Sequence, residues 1–384
     1  MRIGIEGQRL FRPKKHGMDM VALELIKNLQ EIDHENEYII FVKPDEDNTC
    51  IPEAPNFKIV ELSAPGGYPV WEQWALPRAA RQQGCDLLHC TSNTGPLRSK
   101  VPLMITLHDI IYMEKLSLFQ KGSTWYQRLG NVYRRFVVPP VLKRSKCVIT
   151  VSNFEKDRIN EFFGLKPGKL TAVYNGVSPH FRKVTDPDLL LNAREKYRLP
   201  ERFLFFLGNT APKKNTPGVL KAFADFNAKQ ETPYYLVMLD YEEAKLQQIL
   251  RDIGHPGLRA YIHLTGYVPN VELPAIISQA KLFLYPSLRE SFGIPILEGM
   301  ACGVPVITSN TSSMPEVAGG EALLVDPFQP AEITAAIEQL LNNEALYQSL
   351  SERGPKRAAQ FSWRAMAEQV LELYQGIHQK TTVV

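Results

Sequence analysis

The stretch that decides the fold runs from Leu282 to Glu298 and reads Leu-Phe-Leu-Tyr-Pro-Ser-Leu-Arg-Glu-Ser-Phe-Gly-Ile-Pro-Ile-Leu-Glu. Its first four residues are apolar or aromatic and predict a buried strand that ends at Pro286. Pro295 suits the first turn of a helix and Gly303 its C-terminal cap, which predicts a helix over 295–302. A strand that leads through a loop into a helix is the repeating unit of a parallel α/β sheet.

The same alternation extends through the whole chain. It predicts strands over 2–5, 38–42, 58–62, 87–90, 103–107, 147–151 and 170–173, and then over 203–207, 234–239, 262–264, 282–285, 304–308 and 322–325. Helical patterns lie between many of them, for example over 20–30 and 216–229. Because the pattern occurs twice, the predicted fold class is α/β with two doubly wound, Rossmann-like domains that face each other across a cleft.

Turn-forming residues place the domain boundaries. A length of 384 residues favours two domains, and the segment 175–181 collects Asn, Gly, Ser and Pro between a strand and a charged helical stretch. We therefore predict an N-terminal domain over 1–178 and a C-terminal domain over 179–362. The tail, 363–384, is predicted to be a C-terminal helix that packs back toward the N-terminal domain.

Composition narrows the class of protein. The formal net charge of +3 is too small to argue for a nucleic-acid partner. The five cysteines show no metal-binding spacing and fit reduced thiols. The N-terminus enters a strand without a signal-peptide pattern, and no apolar run is long enough to span a bilayer. The expected location is cytoplasmic, with any membrane contact peripheral.

Two carboxylates flank the predicted start of the helix over 295–302. Gly293 has no side chain to block a ligand, and the N–H groups of a helix N-terminus favour an anion. Glu290 lies in the preceding loop, and Glu298 is placed in the first helical turn. Each carboxylate can accept hydrogen bonds from sugar hydroxyls. The alternative is that Glu298 only complements the helix dipole and Glu290 is a solvated loop residue.

Two further loops follow predicted strands. The strand over 203–207 leads into a loop with Gly208, Lys213 and Lys214, and Lys is a natural partner for phosphate. The alternative is a solvated basic loop. The strand over 103–107 delivers His108 and Asp109, where a structural histidine is the alternative. Neither a G-x4-G-K-[ST] nor a G-x-G-x-x-G pattern is present, which argues against a kinase-like or classical dinucleotide fold.

Together these segments resemble the retaining glycosyltransferases of family 4, which have the GT-B fold. The match is nearly continuous over 266–327, through Tyr-Pro-Ser-Leu-Arg-Glu-Ser-Phe-Gly at 285–293 and Glu-Gly-Met-Ala-Cys-Gly-Val-Pro-Val at 298–306. The segments 151–154 and 175–177 resemble two further landmarks of the family. Trp-Glu-Gln at 71–73 and Leu-His-Cys at 88–90 resemble the branch that builds surface polysaccharides, with a mannosyltransferase-like character.

The resemblance implies a role for each site residue. Glu298 would hold the nucleotide ribose, and Glu290 the donor sugar. Lys214 would bind the diphosphate and stabilise the leaving group, and His108 would reach the donor sugar, so that Lys214, Glu290 and His108 are the implied catalytic residues. The other implied donor-binding residues are Gly208, Asn209, Lys213, Ser291, Phe292, Gly293 and Ile294. Gly17 would let the backbone approach the diphosphate or the acceptor.

The sequence departs from the family pattern in two loops. Asn209 stands where many members have Arg, so Lys213 or Lys214 would carry the phosphate-binding charge. The loop over 16–19 also lacks the commoner glycine-rich, Arg-containing form, so the family pattern supports the role of Gly17 less than that of the other site residues.

The implied reaction moves a hexose from a GDP- or UDP-linked donor to a glycan or lipid-linked acceptor, without a metal or another cofactor. Basic and aromatic residues over 125–144 suggest peripheral contact with an anionic membrane, and a solvated helix face is the alternative. A sugar-nucleotide epimerase of the same fold and a non-catalytic nucleotide-sugar-binding subunit remain alternatives for the whole chain. A phosphorylase is disfavoured, since it needs a much longer chain.

Overall fold

The computed structural model describes residues 1–15, 17–113 and 125–382, which form two compact units. Unit 1 comprises Met1–Gly176 together with Trp363–Val384, and unit 2 comprises Val177–Ser362. The division falls inside the turn-rich segment 175–181.

Unit 1 is built on a seven-stranded sheet in which every pair of neighbours is parallel. The strand order is β3-β2-β1-β4-β5-β6-β7. The strands are β1 Arg2–Glu6, β2 Glu37–Val42, β3 Phe57–Glu61, β4 Leu87–Cys90, β5 Leu103–Thr106, β6 Cys147–Thr150 and β7 Leu170–Ala172. The helices are α1 Gly17–Ile32, α2 Tyr68–Val70, α3 Leu76–Gln82, α4 Trp125–Arg144, α5 Asn153–Phe163 and α14 Trp363–Thr382, with a π-helical turn at Trp71–Ala75 and a 3-10 turn at Ile111–Met113.

The sequence of unit 1 explains these elements. The strands β4, β5 and β6 are buried along their whole length because helices cover both faces of the sheet, whereas the edge strand β3 is partly exposed. Ser152 begins α5 as an N-cap whose side chain accepts the N–H of Glu155 at 3.2 Å. Gly164 ends the same helix in the left-handed region, at φ 56°.

The C-terminal helix α14 is part of unit 1. It packs against α1, and its buried face includes Met366, Val370 and Tyr374. The Tyr374 hydroxyl lies 2.6 Å from Nδ1 of the buried His89. Burial lowers the pKa of His89 to about 3, so this contact involves a neutral ring at physiological pH.

Unit 2 contains a six-stranded parallel sheet in the order β10-β9-β8-β11-β12-β13. The strands are β8 Phe203–Phe206, β9 Tyr235–Met238, β10 Ile262–Leu264, β11 Phe283–Tyr285, β12 Val306–Ser309 and β13 Leu323–Val325. The helices are α6 Pro187–Tyr197, α7 Thr216–Asn227, α8 Glu243–Asp252, α9 Leu273–Ile277, α10 Ile294–Ala301, α11 Met314–Ala318, α12 Pro330–Asn342 and α13 Glu344–Ala358. Short 3-10 turns occur at Pro212–Lys214, Pro256–Tyr261 and Asn270–Glu272.

The predicted fold class is confirmed within each unit. All thirteen predicted strands correspond to strands of the structure, and their ends agree or differ by at most two residues. The sequence analysis missed the segment over 68–82, with its π-helical turn, and the helices α11 and α13. The phenylalanine-rich core of unit 2, which includes Phe206, Phe223 and Phe226, lies between the sheet and its covering helices.

Candidate active site

The central feature of unit 2 is the pair of neighbouring strands β8 and β11. The chain leaves β8 toward one side of the sheet and β11 toward the other, as the strand order shows. Ligands of open parallel sheets bind at the carboxyl ends of such a strand pair. The loop over 207–215 follows β8, the loop over 286–293 follows β11, and the Leu288 N–H joins them by donating to the Lys213 carbonyl at 2.7 Å.

Lys214 and Glu290 meet at this position. The Lys214 ammonium donates to Glu290 Oε1 at 2.7 Å and to the Tyr285 hydroxyl at 2.5 Å, and Nζ lies 4.5 Å from the centre of the Tyr285 ring. Lys213 Nζ donates to Glu290 Oε2 at 3.2 Å. The side chains of Glu290 and Lys214 are 8% and 14% exposed, whereas Lys213 is 42% exposed. Glu290 therefore lies between two cations, one buried and one facing solvent.

Burial and ion pairing shift the pKa values of Glu290 and Lys214 in opposite directions. Burial alone would raise the pKa of Glu290, but the ammonium groups of Lys214 and Lys213 outweigh it and hold that pKa below its usual value. Burial lowers the pKa of Lys214, and the Glu290 carboxylate only partly restores it. The Lys214 Nζ and Glu290 Oε1 atoms lie 2.7 Å apart as a buried ion pair, in the loops that lead to the start of α10.

Hydroxyl side chains at the end of β12 and just after it hold the loop over 286–293. Ser309 and Thr311 donate to the carbonyls of Ser287 and Leu288 at 2.6 and 3.3 Å. The Glu290 N–H donates to Ser312 Oγ at 3.1 Å. Ser313 donates to the carbonyls of Glu290 and Phe292 at 3.0 and 2.8 Å, as part of the same set. The sequence analysis did not predict these hydrogen bonds. The hydroxyl-rich run over 308–313 was the sequence feature that indicated them.

The start of α10 presents backbone donors next to this pair. Gly293 is the N-cap residue and has φ 102°, a left-handed conformation that favours glycine. Within the described residues, the N–H groups of Gly293 and Ile294 have no hydrogen-bond acceptor. Ser291 is half-buried, and the Phe292 ring points into the core, 5.9 Å from the Phe361 ring. Phe292 can therefore contribute only its backbone to a ligand.

The predicted position of Glu298 is corrected. It is the fifth residue of α10 and lies in the second turn rather than the first. Its carboxylate has no hydrogen-bond partner among the described residues. Burial raises the pKa of Glu298 to about 7, although Lys214 acts in the opposite direction. The helix dipole does not explain the residue at this depth in the helix.

Gly208 and Asn209 shape the loop that carries the lysines. A Cβ atom at Gly208 would lie 2.2 Å from Cε1 of Phe206, so no other residue fits there without a shift. Asn209 is exposed, and its Oδ1 accepts the Ala211 N–H at 2.8 Å. A further residue, Asn215, was missed by the sequence analysis. Its Nδ2 donates to the carbonyls of Pro286 and Pro327 at 3.1 and 2.7 Å, which ties three loops together.

In unit 1, His108 lies two residues after β5 and is 5% exposed. Its Nε2–H donates to the Thr91 carbonyl at 3.0 Å, and its own N–H donates to Asn93 Oδ1 at 2.6 Å. Burial lowers the pKa of His108. The ring is therefore neutral, and Nδ1 keeps a lone pair that no described residue uses.

Gly17 is exposed and is the first residue of α1. A Cβ atom there would meet nothing within 4 Å. Its neighbour His16 lies outside the described residues. Near the same helix start, Arg9 Nε pairs with Oδ1 of the buried Asp19 at 3.0 Å.

The basic and aromatic segment over 125–144 is only partly described, because the side chains of residues 125–128 lie outside the described set. Tyr133 turns its hydroxyl inward to Glu72 and Gln73. Arg135 Nε donates to the Tyr112 carbonyl at 2.9 Å. Phe136, in contrast, is 75% exposed. Tyr133 is therefore held inside unit 1 by hydrogen bonds, whereas Phe136 faces solvent.

Two general features bear on the expected chemistry. Within the ranges given for the structure, no group of three or more His, Cys, Asp or Glu side chains is arranged to hold a metal ion. None of the helices in those ranges is both long enough and apolar enough to cross a bilayer.

Unit 2 thus gathers Gly208, Lys213, Lys214, Glu290, Gly293 and Ile294 around one strand pair, while His108 and Gly17 belong to unit 1. Two family models match the chain: "Glycosyltransferase Family 4" over residues 16–181 and "Glycosyl transferases group 1" over residues 191–357. The chain belongs to the family 4 glycosyltransferases. Membership confirms the predicted family and the prediction of a glycosyltransferase.

Individual glycosyltransferases differ in their sequence identity to the chain and in the share of each protein that matches. It is 32% identical to the O-antigen chain mannosyltransferase B of Escherichia coli over 61% of each chain. It is 26% identical to the MMP alpha-(1->4)-mannosyltransferase of Mycolicibacterium hassiacum, over 77% of this chain and 72% of that one. The matched stretch spans only 28–30% of three serotype-specific mannosyltransferases of Escherichia coli.

Among solved structures, sucrose-phosphate synthase from Thermosynechococcus elongatus matches with a TM-score of 0.78 and 20% identity over 99% of both chains. At this identity the likeness concerns the fold, and it confirms the GT-B type.

Proposed function

We propose that this glycosyltransferase moves a hexose, with retained anomeric configuration, from a nucleoside-diphosphate sugar to a hydroxyl of a glycan or lipid-linked acceptor. The observation that carries the proposal is the Lys214–Glu290 pair at the carboxyl ends of β8 and β11. A buried cation beside a carboxylate suits a ligand that joins phosphate to hydroxyl groups.

The leaving diphosphate takes on negative charge as the sugar–oxygen bond breaks. The Lys214 ammonium, its neighbour Lys213 and the N–H groups of Gly293 and Ile294 supply positive ends for that charge. Donors that are already oriented stabilise developing charge without reorganisation, so no metal ion enters the proposed reaction. In the same proposal Glu290 accepts hydroxyls of the transferred sugar, and Glu298 accepts those of the ribose.

Retention of configuration is explained by attack on the face that the leaving group vacates. The acceptor oxygen forms a bond to the anomeric carbon while the bond to the diphosphate oxygen breaks. That phosphate oxygen takes the acceptor proton, which balances the exchange without a covalent enzyme intermediate. Neutral His108 has an unused ring nitrogen, and we propose that it contacts the donor sugar.

The names of the relatives favour mannose as the transferred sugar and surface polysaccharide as the product. A thermal-shift panel of UDP, GDP and their sugars tests the donor half of the proposal, since a ligand that binds the folded state raises its melting temperature. We expect one nucleotide series to stabilise the protein, and incubation of that donor with acceptor glycans to yield transfer. A panel without any stabilising nucleotide would contradict the proposal. Epimerised free donor would indicate the epimerase instead.

For a lipid-linked acceptor we further propose that unit 1 contacts an anionic membrane surface through α4. Leu129, Val132 and Phe136 are 63%, 42% and 75% exposed and recur at helical spacing. Exposed Lys143 and Arg144 stand at the end of the same helix. Flotation with anionic vesicles at low salt should recover the wild type and recover less of a Phe136→Ser variant. Failure of the wild type to float would remove this part of the proposal.

A further inference from the structure

Arg357 stands near the end of α13 and binds the last turn of α11. Its Nε and Nη2 donate to the carbonyls of Val317 and Glu316 at 3.0 and 2.7 Å. The C-terminal end of a helix favours a cation, because its last carbonyls lack partners within the helix. Gly319 makes room for the guanidinium, since a Cβ atom there would lie 2.5 Å from Arg357 Nε. Arg357 is therefore closely fitted to the end of α11.

Hydrogen bonds connect this end of α11 to the loop over 286–293. The Val317 N–H donates to the Ser313 carbonyl at 3.0 Å, which joins the two ends of a helix of five residues. The Ser313 hydroxyl is fully buried and donates to the carbonyls of Glu290 and Phe292 at 3.0 and 2.8 Å. Two peptide groups of the loop thus depend on the position of α11.

Aromatic rings make a second connection between Arg357 and the same loop. The Arg357 guanidinium lies 4.6 Å from the centre of the Phe361 ring. That ring lies 5.9 Å from the Phe292 ring with planes at 68°, an edge-to-face arrangement. Phe361 is 5% exposed, and its carbonyl accepts the Val177 N–H at 3.1 Å, which holds it in place. Arg357 therefore reaches Phe292 by hydrogen bonds and by ring contacts.

The loop over 286–293 depends on such contacts because it has no regular secondary structure of its own. It carries Glu290, and Phe292 directly precedes Gly293, the N-cap residue of α10. The position of Phe292 therefore decides where the N–H groups at the start of α10 point. A binding site needs its groups held to within about 0.5 Å of the productive geometry, and neighbouring side chains supply that precision.

We propose that Arg357 is a positioning residue for donor binding. It fixes the backbone at Glu290 and Phe292, and with it the Glu290 carboxylate and the N–H groups at the start of α10. Arg357 itself does not contact the donor. This inference rests on the proposed function, because it takes the loop over 286–293 as part of the donor site.

Nucleotide affinity of the full-length protein tests the proposal, measured by calorimetry with UDP and GDP well below the melting temperature of each variant. For the nucleotide that the wild type binds, we expect the Kd to rise roughly tenfold in Arg357→Ala. The rise should be smaller in Arg357→Lys. A lysine keeps the charge but lacks the planar fork that donates to two carbonyls and stacks on a ring.

Hydrogen exchange, followed by mass spectrometry without any ligand, reports on the loop directly. The N–H groups of Leu288 and Glu290 donate to the Lys213 carbonyl and to Ser312 Oγ at 2.7 and 3.1 Å. Their exchange is slow as long as these hydrogen bonds are held. We expect exchange in the peptide 286–293 to be faster in Arg357→Ala than in the wild type.

Arg353→Ala is the matched control. Arg353 lies one turn earlier in α13, is 53% exposed, and its Nε pairs with Glu321 Oε2 at 2.6 Å. Glu321 follows α11, and among the described residues Arg353 has no hydrogen bond to α11 itself. Loss of an exposed ion pair changes stability little. Nucleotide affinity and exchange over 286–293 should therefore stay at wild-type values.

The results separate the positioning role from the proposed function. Wild-type nucleotide affinity in folded Arg357→Ala overturns the positioning role, as do equal losses of affinity in Arg353→Ala and Arg357→Ala. A wild type that binds neither UDP nor GDP overturns the proposed function. In that case unchanged exchange over 286–293 in Arg357→Ala also overturns the positioning role, and faster exchange supports it.

A second pair of variants covers the case in which Arg357→Ala does not fold. Arg357→Lys weakens the contact with α11, and Phe361→Leu removes the ring contact with Phe292 while it keeps an apolar side chain. Each should weaken nucleotide binding and speed exchange over 286–293. Wild-type affinity and exchange in both variants would overturn the proposal.

Discussion

In both units the strand order reverses near the centre of the sheet, between β1 and β4 in unit 1 and between β8 and β11 in unit 2. The loops at this position in unit 2 bring together two lysines and one carboxylate. In unit 1 the carboxylate of Glu6 at the end of β1 accepts the Thr91 hydroxyl at 3.1 Å and the Gln8 N–H at 2.9 Å. Glu72, near the same edge, likewise has hydroxyl and amide partners.

The two units differ in the partners of the carboxylate at this edge, which are lysines in unit 2 and hydroxyl and backbone amide groups in unit 1. A buried cation is useful only where negative charge arrives or develops, which is the case for a diphosphate leaving group. A buried carboxylate that accepts hydroxyl and backbone amide groups instead holds neighbouring loops of unit 1 together.

The largest effect is expected when the cation of unit 2 is removed. Lys214→Ala should lower kcat roughly 10²–10³-fold, the size seen when one group that stabilises transition-state charge is lost. The exposed neighbour provides the control: Lys213→Ala should lower kcat far less, because solvent screens its charge. Steady-state transfer with the cognate donor measures both. Circular dichroism checks that each variant is folded.

Equal losses of kcat in Lys214→Ala and Lys213→Ala would mean that burial does not decide how much each lysine contributes to transfer. Wild-type turnover in Lys214→Ala would remove Lys214 from the site.

A smaller effect is expected from pH, through Glu298. Burial raises the pKa of this carboxyl to about 7, so it is mostly protonated at pH 6 and mostly ionised at pH 8. Ribose hydroxyls donate to the ionised form, so donor affinity should rise roughly tenfold between these values. Calorimetry with the intact nucleotide sugar measures this donor affinity. The intact donor is used because its diphosphate carries two ester bonds and does not titrate in this range.

Glu298→Gln should make donor affinity almost independent of pH over the same range. A wild-type affinity that stays constant, or falls as pH rises, would contradict the assignment of Glu298 to the ribose.

The sequence predicted that the loops with Lys214 and Glu290 come together in unit 2, but it did not predict the contacts of Glu72 in unit 1, for a physical reason. Lys214 and Glu290 could be predicted because each lies in the loop after a recognisable buried strand, and the carboxyl ends of neighbouring parallel strands converge. Tyr285 was assigned only to a strand, since its contact with Lys214 depends on which strands become neighbours. Glu72 acquires its partners Thr94 and Tyr133 from distant parts of the chain. No local sequence pattern predicts contacts between residues so far apart in the chain.

The smallest effect is expected at Gly17, where unit 1 gives no structural reason for a glycine. A Cβ atom there meets nothing within 4 Å, whereas at Gly208 in unit 2 it would lie 2.2 Å from Phe206 Cε1. Gly208→Ala should therefore lower the stability of unit 2 by about 1–3 kcal/mol. Gly17→Ala should leave the melting temperature unchanged or slightly higher, because alanine suits a helix better than glycine.

If a substrate approaches the backbone at Gly17, the added methyl group should raise KM for the donor or the acceptor a few-fold while stability is kept. Which KM rises decides what the loop contacts, the donor or the acceptor. Unchanged KM for both substrates would remove Gly17 from the site. The comparison with Gly208 then separates a glycine that the fold requires from one that only a ligand could require.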